Sequence, residues 1–451
     1  MRSKANNASI AEITVDQSGA DGGEFMIGTS FDDAGDGGCS LNASVFNLVN
    51  NVAGAGILTL SAGMGAGVGW VPAIVICVAM AGVSAYTFSI AGVSCHLAGK
   101  STFTGVWTKS FGPRTSWFVD AIVCALCLAS CIIYFGILGD VFTPIVQAVG
   151  SYFGSPHITR NCTIILFAGL LLPFALARNI DFLSRVSLVG FGSILYTILF
   201  MVLRCFDGSY AADSAWASSL PATLAPDLGA QALWTFNRAA LVLMSNLGLA
   251  LIAHYNAPKY YAELEDRSPR KFSIMVSCAF FILCIFYLAS MGSGYGTFGA
   301  NAQPNILLNY HPDDILASIA KIATGLSVLA GFPLQFMGIK EAAQRLLRRI
   351  NNDVAAWLRK TDRPAPLVFC LLTVMTFVAT TLPDIGFIAS ITGALLGAAI
   401  VYIIPPMLYV ALLRKRKTPG DGRAWKTVPN MLITVFGVCF AALGVAEVLG
   451  F

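Results

Sequence analysis

Three asparagines and two glycines stand inside a run that is otherwise apolar enough to cross a bilayer: Asn47-Leu-Val-Asn-Asn-Val-Ala-Gly-Ala-Gly-Ile-Leu58. Asn47, Asn50 or Asn51, and Gly54 recur at i, i+3/i+4, i+7, so they share one helical face. An amide in hydrocarbon is costly unless it is partnered or hydrated. Gly54 and Gly56 lower the cost of leaving helical geometry. Opened backbone at membrane depth persists only against protein or a water-filled cavity. The stretch therefore reads as a broken span whose exposed peptide groups hold a polar ligand. A half-helix beginning near Ala55 and Gly56 turns free N–H groups and a positive dipole end toward that ligand, which suits a carboxylate. Carbonyls freed near Val52 and Ala53 suit an ammonium group or a cation. The chemistry is that of a small zwitterion.

Polar or small residues recur at helical spacing elsewhere. One set is Ser245, Asn246, Gly248, Ala250 and His254, followed by Pro258. Others are Thr324, Ser327 and Gly331; Ser390, Thr392, Gly393 and Gly397; and Ser130 with Tyr134. Each has two readings: close helix packing through small residues and hydroxyls bonded to their own backbone, or a ligand contact. The ligand reading takes Asn47, Asn51, Gly54, Ala55, Gly56, Tyr134, Asn246, Gly248 and Thr392 as the substrate site. It gives a hard cation to the carbonyls near Val52 and Ala53 and the hydroxyls of Thr324 and Ser327. No acid stands at the centre of any span. Asp120 and Asp140 fall near the two ends of one, and Glu447 near the end of the last. A carboxylate partner for a cationic side chain is therefore not evident, which favours neutral substrates.

The elements that must position these residues are membrane helices. Eleven segments approach the ~20 apolar residues that a crossing helix needs. They lie at about 42–64, 69–97, 116–147, 160–178, 182–205, 229–257, 272–298, 314–338, 365–382, 385–412 and 428–449. The first and sixth are five apart, and each is interrupted by a glycine-containing polar segment. Matching breaks in two halves point to a transporter built from inverted repeats, with its site near the midplane. The basic stretch Lys340–Arg363 reads as a surface amphipathic helix with Trp357 and Leu358 on its apolar side.

Composition supports a lipid solvent. The 451 residues are 56% hydrophobic and 12% charged, with a net charge of +4, against about a quarter charged in soluble domains. No basic, aromatic-interleaved patch suggests nucleic acid. The twelve Cys and four His show no metal-ligand spacing. No paired carboxylates or nucleophile–base pair stand within the spans, so an enzyme is not expected. A charge-ring channel lacks its ring. Residues 1–40 are acidic and glycine-rich and read as a disordered tail. Lys and Arg crowd alternate loops, which places the N-terminus in the cytoplasm and, after eleven spans, the C-terminus outside or in a lumen. Cys162 and Cys205 approach the same face, where a disulfide is one option and two packed thiols the other. Asn161-Cys-Thr163 is a glycosylation pattern placed very near a span.

Several stretches resemble the amino acid/auxin permease family, and within it the sodium-coupled neutral amino acid transporters. They are Ser44-Val-Phe-Asn-Leu-Val-Asn-Asn-Val-Ala-Gly-Ala-Gly-Ile-Leu58, Leu172-Pro-Phe-Ala-Leu-Ala-Arg-Asn179 and Ala253-His-Tyr-Asn-Ala-Pro-Lys-Tyr-Tyr-Ala-Glu-Leu264. Gly294-Tyr-Gly-Thr-Phe-Gly299, Asn305-Ile-Leu-Leu-Asn-Tyr310 and Phe332-Pro333 complete the set. The resemblance implies an all-α, LeuT-type fold. A first repeat would span 41–205, a second 228–413, and an eleventh helix 428–451. It further implies alternating access, with Asn50 in the cation and substrate region and Thr324, or instead Ser327, at a sodium position. Ser61 and Gln335 depart from the family pattern, where Pro and Arg are usual. The expected function is secondary transport of neutral amino acids coupled to Na⁺ or H⁺, in a plasma membrane or a vacuole- or lysosome-type membrane. The alternatives are a sensor that signals to a protein partner through the tail, and a proton-coupled organellar exporter. His254 reads as a hydrogen-bonded histidine near a helix end, with proton carriage as the competing role.

Overall fold

The computed structural model describes residues 38–152, 159–176, 181–229, 231–350, 353, 365–415 and 423–450. Residues 1–37 of the tail lie outside these, as do Arg178, Asn179, Trp357 and Leu358.

The first span is two pieces. Helix α1 (Leu41–Val52) starts where Ser40 Oγ accepts the Ala43 amide. It stops at Ala53-Gly54. A 3₁₀ turn over Ala55–Thr59 then leads into α2 (Leu60–Gly65), and the two halves bend by 53°. Next come α3 (Trp70–Ala98), α4 (Phe103–Phe111), α5 (Trp117–Tyr152), α6 (Arg160–Leu176), α7 (Asp181–Phe206) and α8 (Ala215–Ser219). The sixth span is also two pieces. Helix α9 (Ala240–Ala250) ends before the non-helical Leu251-Ile252-Ala253. A 3₁₀ turn over His254–Asn256 follows, and then α10 (Ala257–Glu263). The rest is α11 (Pro269–Phe298), α12 (Ile315–Ile350), α13 (Ala365–Thr381), α14 (Ile385–Thr392), a π-helical stretch over Gly393–Ile403, α15 (Ile404–Lys415) and α16 (Arg423–Leu449).

Eight helical segments among the described residues are long and apolar enough to cross a bilayer, counting α9–α10 and α14–α15 as continuous; the bent first pair makes nine. Helices α6 and α13 are apolar but have 17 residues each. Taking both as crossings gives the eleven of the sequence reading. Phe281, Phe377 and Leu432 are more than half exposed, as side chains that face lipid are.

Two boundaries differ from the sequence expectation. The sixth span does not begin near residue 229. The apolar Leu233-Trp-Thr-Phe run instead lies across the start of α3, where the Ala232, Leu233 and Thr235 carbonyls accept the Trp70, Val71 and Gly69 amides. Asn237 Oδ1 accepts the Ala239 amide at 2.9 Å, so the helix starts only at Ala240. The second difference is at Lys340. No separate surface helix begins there, because α12 continues unbroken to Ile350. Arg345 on this extension pairs with buried Asp120 at 2.7 Å, which holds it along the start of α5.

Cations at the opposite ends of the spans are neutralised. Arg160 pairs with Asp140 (2.6 Å), Arg204 with Asp314 (2.7 Å), and Arg238 with Glu447 (2.9 Å).

Candidate substrate and cation site

The two breaks meet in the centre of the bundle. A Cβ on Gly56 would lie 3.0 Å from Ala250 Cα, so the backbone after the first break rests on the last residue of α9. Glycine is required by that approach. Fully buried Tyr287 of α11 serves both breaks. Its hydroxyl lies 3.2 Å from the Val52 carbonyl and 2.5 Å from the Ala250 carbonyl. The Val52 carbonyl also accepts the Gly54 amide at 2.7 Å. Expectation and structure part here: this carbonyl is already engaged rather than open for a cation.

A cavity of about 370 Å³ reaches the first break, within the ~300–1,000 Å³ usual for small-molecule pockets. Its inner wall carries Asn50, Asn51, Ala53, Gly54 and Tyr134, and it opens past exposed Asn47, Lys259, Glu263 and Glu341. It is lined by α1 before its break, by α10 after the other break, and by α12 only from Ser327 onward. The cavity therefore opens toward the face on which α1 begins. A smaller chamber of about 60 Å³ adjoins it. Asn51, Gly54, Tyr134, Tyr255 and Gln335 are common to both, while Val52, Gly56 and Ser130 line only the smaller one.

The Tyr134 hydroxyl stands between two glycines. It would lie 3.5 Å from a Cβ on Gly54 and 3.4 Å from one on Gly331. Gln335 Oε1 accepts the Tyr255 hydroxyl at 3.0 Å, tying α12 to the segment after the second break. Gly190 of α7 marks where Asn50 and Ser327 converge. A Cβ there would be 3.6 Å from Ser327 Oγ and 3.9 Å from Asn50 Oδ1. Thr324 sits one turn away, with its hydroxyl on Thr197 Oγ1 at 3.0 Å, and lines neither cavity. Of the two hydroxyls considered for a cation, Ser327 is the one at the cavity wall.

Asn246, Gly248 and Thr392 lie elsewhere. Asn246 donates to the Thr59 carbonyl (3.0 Å) and accepts from Ser390 Oγ (2.9 Å), joining α9 to the first and tenth spans. A Cβ on Gly248 would lie 3.1 Å from the Gly393 carbonyl oxygen, and one on Gly397 3.0 Å from that of Gly248. The polar and small stripes of the sixth and tenth spans thus pack against each other. Thr392 is buried. Ala55 opens the 3₁₀ turn.

Residues 37–449 match the family described as transmembrane amino acid transporter protein. The chain belongs to this family. Vacuolar amino acid transporter 2 of Saccharomyces cerevisiae is 24% identical over 409 residues, covering 88% of this chain and 81% of its own. Putative sodium-coupled neutral amino acid transporter 11 of Danio rerio is 22% identical over 421 residues, covering 91% and 88%. Two solved structures share the LeuT-type fold. MhsT in complex with L-phenylalanine gives a TM-score of 0.53 at 12% identity, with coverage of 89% of this chain and 98% of that one. Inward-facing Mhp1 gives 0.57 at 13%, with coverage of 93% and 92%. This family member is accordingly a multi-pass membrane protein and an amino acid transporter, not an enzyme.

The family's two noted departures have structural roles here. Ser61 is fully buried and donates to the Ser290 carbonyl at 3.1 Å, pinning α2 to α11. Gln335 stands in the cavity wall rather than at a loop. Sequence reasoning missed Gln335, Tyr255 and Gly190 as site residues. Gln335 offered two signals, its departure from the family pattern and its place four residues after Gly331 on the Ser327–Gly331 face. His254 is hydrogen-bonded, as expected, but it does not face a loop. It is wholly buried at the second break, 3.1 Å from the Ser84 carbonyl and 3.0 Å from Thr87 Oγ1 through Nε2. Cys162 and Cys205 are both free thiols.

Proposed function

We propose that this transporter moves neutral amino acids together with a cation, Na⁺ or H⁺, by alternating access. One observation carries the reading: a cavity on one side of the breaks ends at the opened first span, where Asn50 and Ser327 bring oxygens beside Gly190. Amides at the start of the 3₁₀ turn have no partner within that turn, and they suit the substrate carboxylate. Asn50 Oδ1 and Ser327 Oγ suit a hard cation. The charged residues of the cavity stand at its exposed mouth and not beside the break, which favours a neutral side chain. The names of the Danio rerio relatives, one of them a sodium-coupled neutral amino acid symporter, support neutral substrates and sodium. The yeast name leaves a vacuolar membrane as the second location. The Lys and Arg bias supports a cytoplasmic N-terminus, so the cavity would open to the cytoplasm. Substrate and cation together favour the occluded state through differential affinity.

The test is uptake of labelled alanine, leucine and glutamine by purified protein in liposomes under imposed Na⁺ or H⁺ gradients. Accumulation that follows one gradient is the expected result. Equilibration alone, unaffected by either gradient, would overturn the coupling.

A further inference from the structure

We infer that Gln335 sets the charge selectivity of the transported side chain; this rests on the reading of the cavity as the amino acid site. The small chamber lies directly beside the first break, and neither it nor the wall it shares with the main cavity contains a charged side chain. At about 10–15 Å³ per water-sized group, its volume of about 60 Å³ takes on the order of four to six non-hydrogen atoms. That is the size of a medium amino acid side chain. With the carboxylate at the Gly56 end, the side chain lies toward Gln335, where the chamber joins the main cavity.

Its polar lining consists of neutral groups: Asn51, Ser130, Tyr134, Tyr255 and Gln335. Gln335 differs from the others in how it is fixed. Its Oε1 accepts the Tyr255 hydroxyl at 3.0 Å, and it stands with Tyr134 in the wall common to both cavities. The acceptor end is therefore engaged, and the amide presents N–H donors to the chamber. Donors reject an ammonium or guanidinium tip, since neither can accept a hydrogen bond. They accept hydroxyl or amide oxygens. Glutamate has the same shape and puts a negative charge at the same atoms, in a recess with no other charge to offset it.

The experiment compares wild type with Gln335→Glu, Gln335→Leu and Tyr255→Phe in liposomes supplied with labelled leucine, glutamine, lysine or glutamate in the external medium. Gln335→Glu is expected to raise the lysine-to-leucine uptake ratio about tenfold or more, because a new charge at contact distance acts in a low-dielectric site. Glutamate uptake should fall. Gln335→Leu adds neither charge nor acceptor and should give no gain in lysine, whereas Tyr255→Phe frees Gln335 Oε1 and should give a gain smaller than that of Gln335→Glu. An unchanged lysine-to-leucine ratio in Gln335→Glu, or an equal rise in Gln335→Leu, would overturn the inference. If Gln335→Glu no longer transports, equilibrium binding of labelled lysine to the purified protein decides. Tighter binding than wild type supports the assignment, and no change defeats it. A wild type that moves none of the four would instead sink the underlying site reading.

Discussion

The two breaks in this molecule are made of different material. The first runs through Ala53 and Gly54, borders a cavity, and has Asn47, Asn50 and Asn51 on the turns before it. The second runs through Leu251, Ile252 and Ala253 with no glycine, and both Leu251 and Ala253 are buried. The next residue, His254, is sealed against Phe88 and Phe280. One break is therefore opened toward a ligand. The other is packed over by protein at Leu251, Ala253 and His254; Leu249, Ala250, Ile252 and Tyr255 reach the smaller chamber, and Tyr255 and Asn256 the larger. They remain coupled, because Gly56 rests on Ala250 and one tyrosine serves a carbonyl from each. The paired discontinuity of this fold need not be paired chemistry: one half can hold the ligand while the other supplies the surface that the first half turns against.

Wedging the breaks apart should have the largest effect. Gly56→Val places branched carbons against the Ala250 backbone, which cannot yield as a flexible side chain would. Overpacking costs about 1–3 kcal/mol. At the top of that range, uptake falls roughly a hundredfold while surface expression persists. Near-normal flux in this variant would show that the two breaks move independently. A middle-sized effect belongs to Tyr287→Phe. It keeps the ring in place but leaves the Ala250 carbonyl without the hydroxyl it accepts from. An unsatisfied buried acceptor costs about 1–3 kcal/mol, so a lower melting temperature and about tenfold slower uptake are expected. Unaltered thermal stability would mean that backbone relaxation satisfies the carbonyls without the phenol.

The same contrast explains what the sequence made legible. Polar residues and glycine announce the first break because they are expensive in lipid and must be there for a reason. At the second break the Ala250 carbonyl is met by Tyr287, and the His254 side chain just beyond it by Ser84 and Thr87, all distant in sequence. No local pattern encodes such partners, and the glycine-containing polar segment of this span ends in helix, with Gly248 three residues before the break. Asn246 misleads for a related reason. An intramembrane amide needs partners, and a ligand is only one kind; here Thr59 and Ser390 suffice. The Leu233–Phe236 run is apolar enough for a span, yet its carbonyls are used to cap α3. Gln335 continues the Ser327–Gly331 face at i+4. It stayed hidden because it falls near the expected end of the span at about 338, where a polar side chain costs little and carries no signal.

The smallest effect tests whether the second break is as closed as its packing indicates. A carbonyl can only accept, so the Ser84 contact assigns the His254 proton to Nε2. Nδ1 is left without a partner, and no salt bridge is made with His254 among the described residues. A proton added at Nδ1 would be an uncompensated charge in a dry core. Gln at this position can still donate to the Ser84 carbonyl from its amide nitrogen. His254→Gln should therefore keep the wild-type pH profile of uptake from pH 5 to 8, and its rate should change by about threefold at most, since the hydrogen bond is retained. A profile flattened by this substitution would make His254 a proton carrier. The sealed break would then belong to the transport chemistry after all, and the division between a ligand-facing half and a structural half would fail.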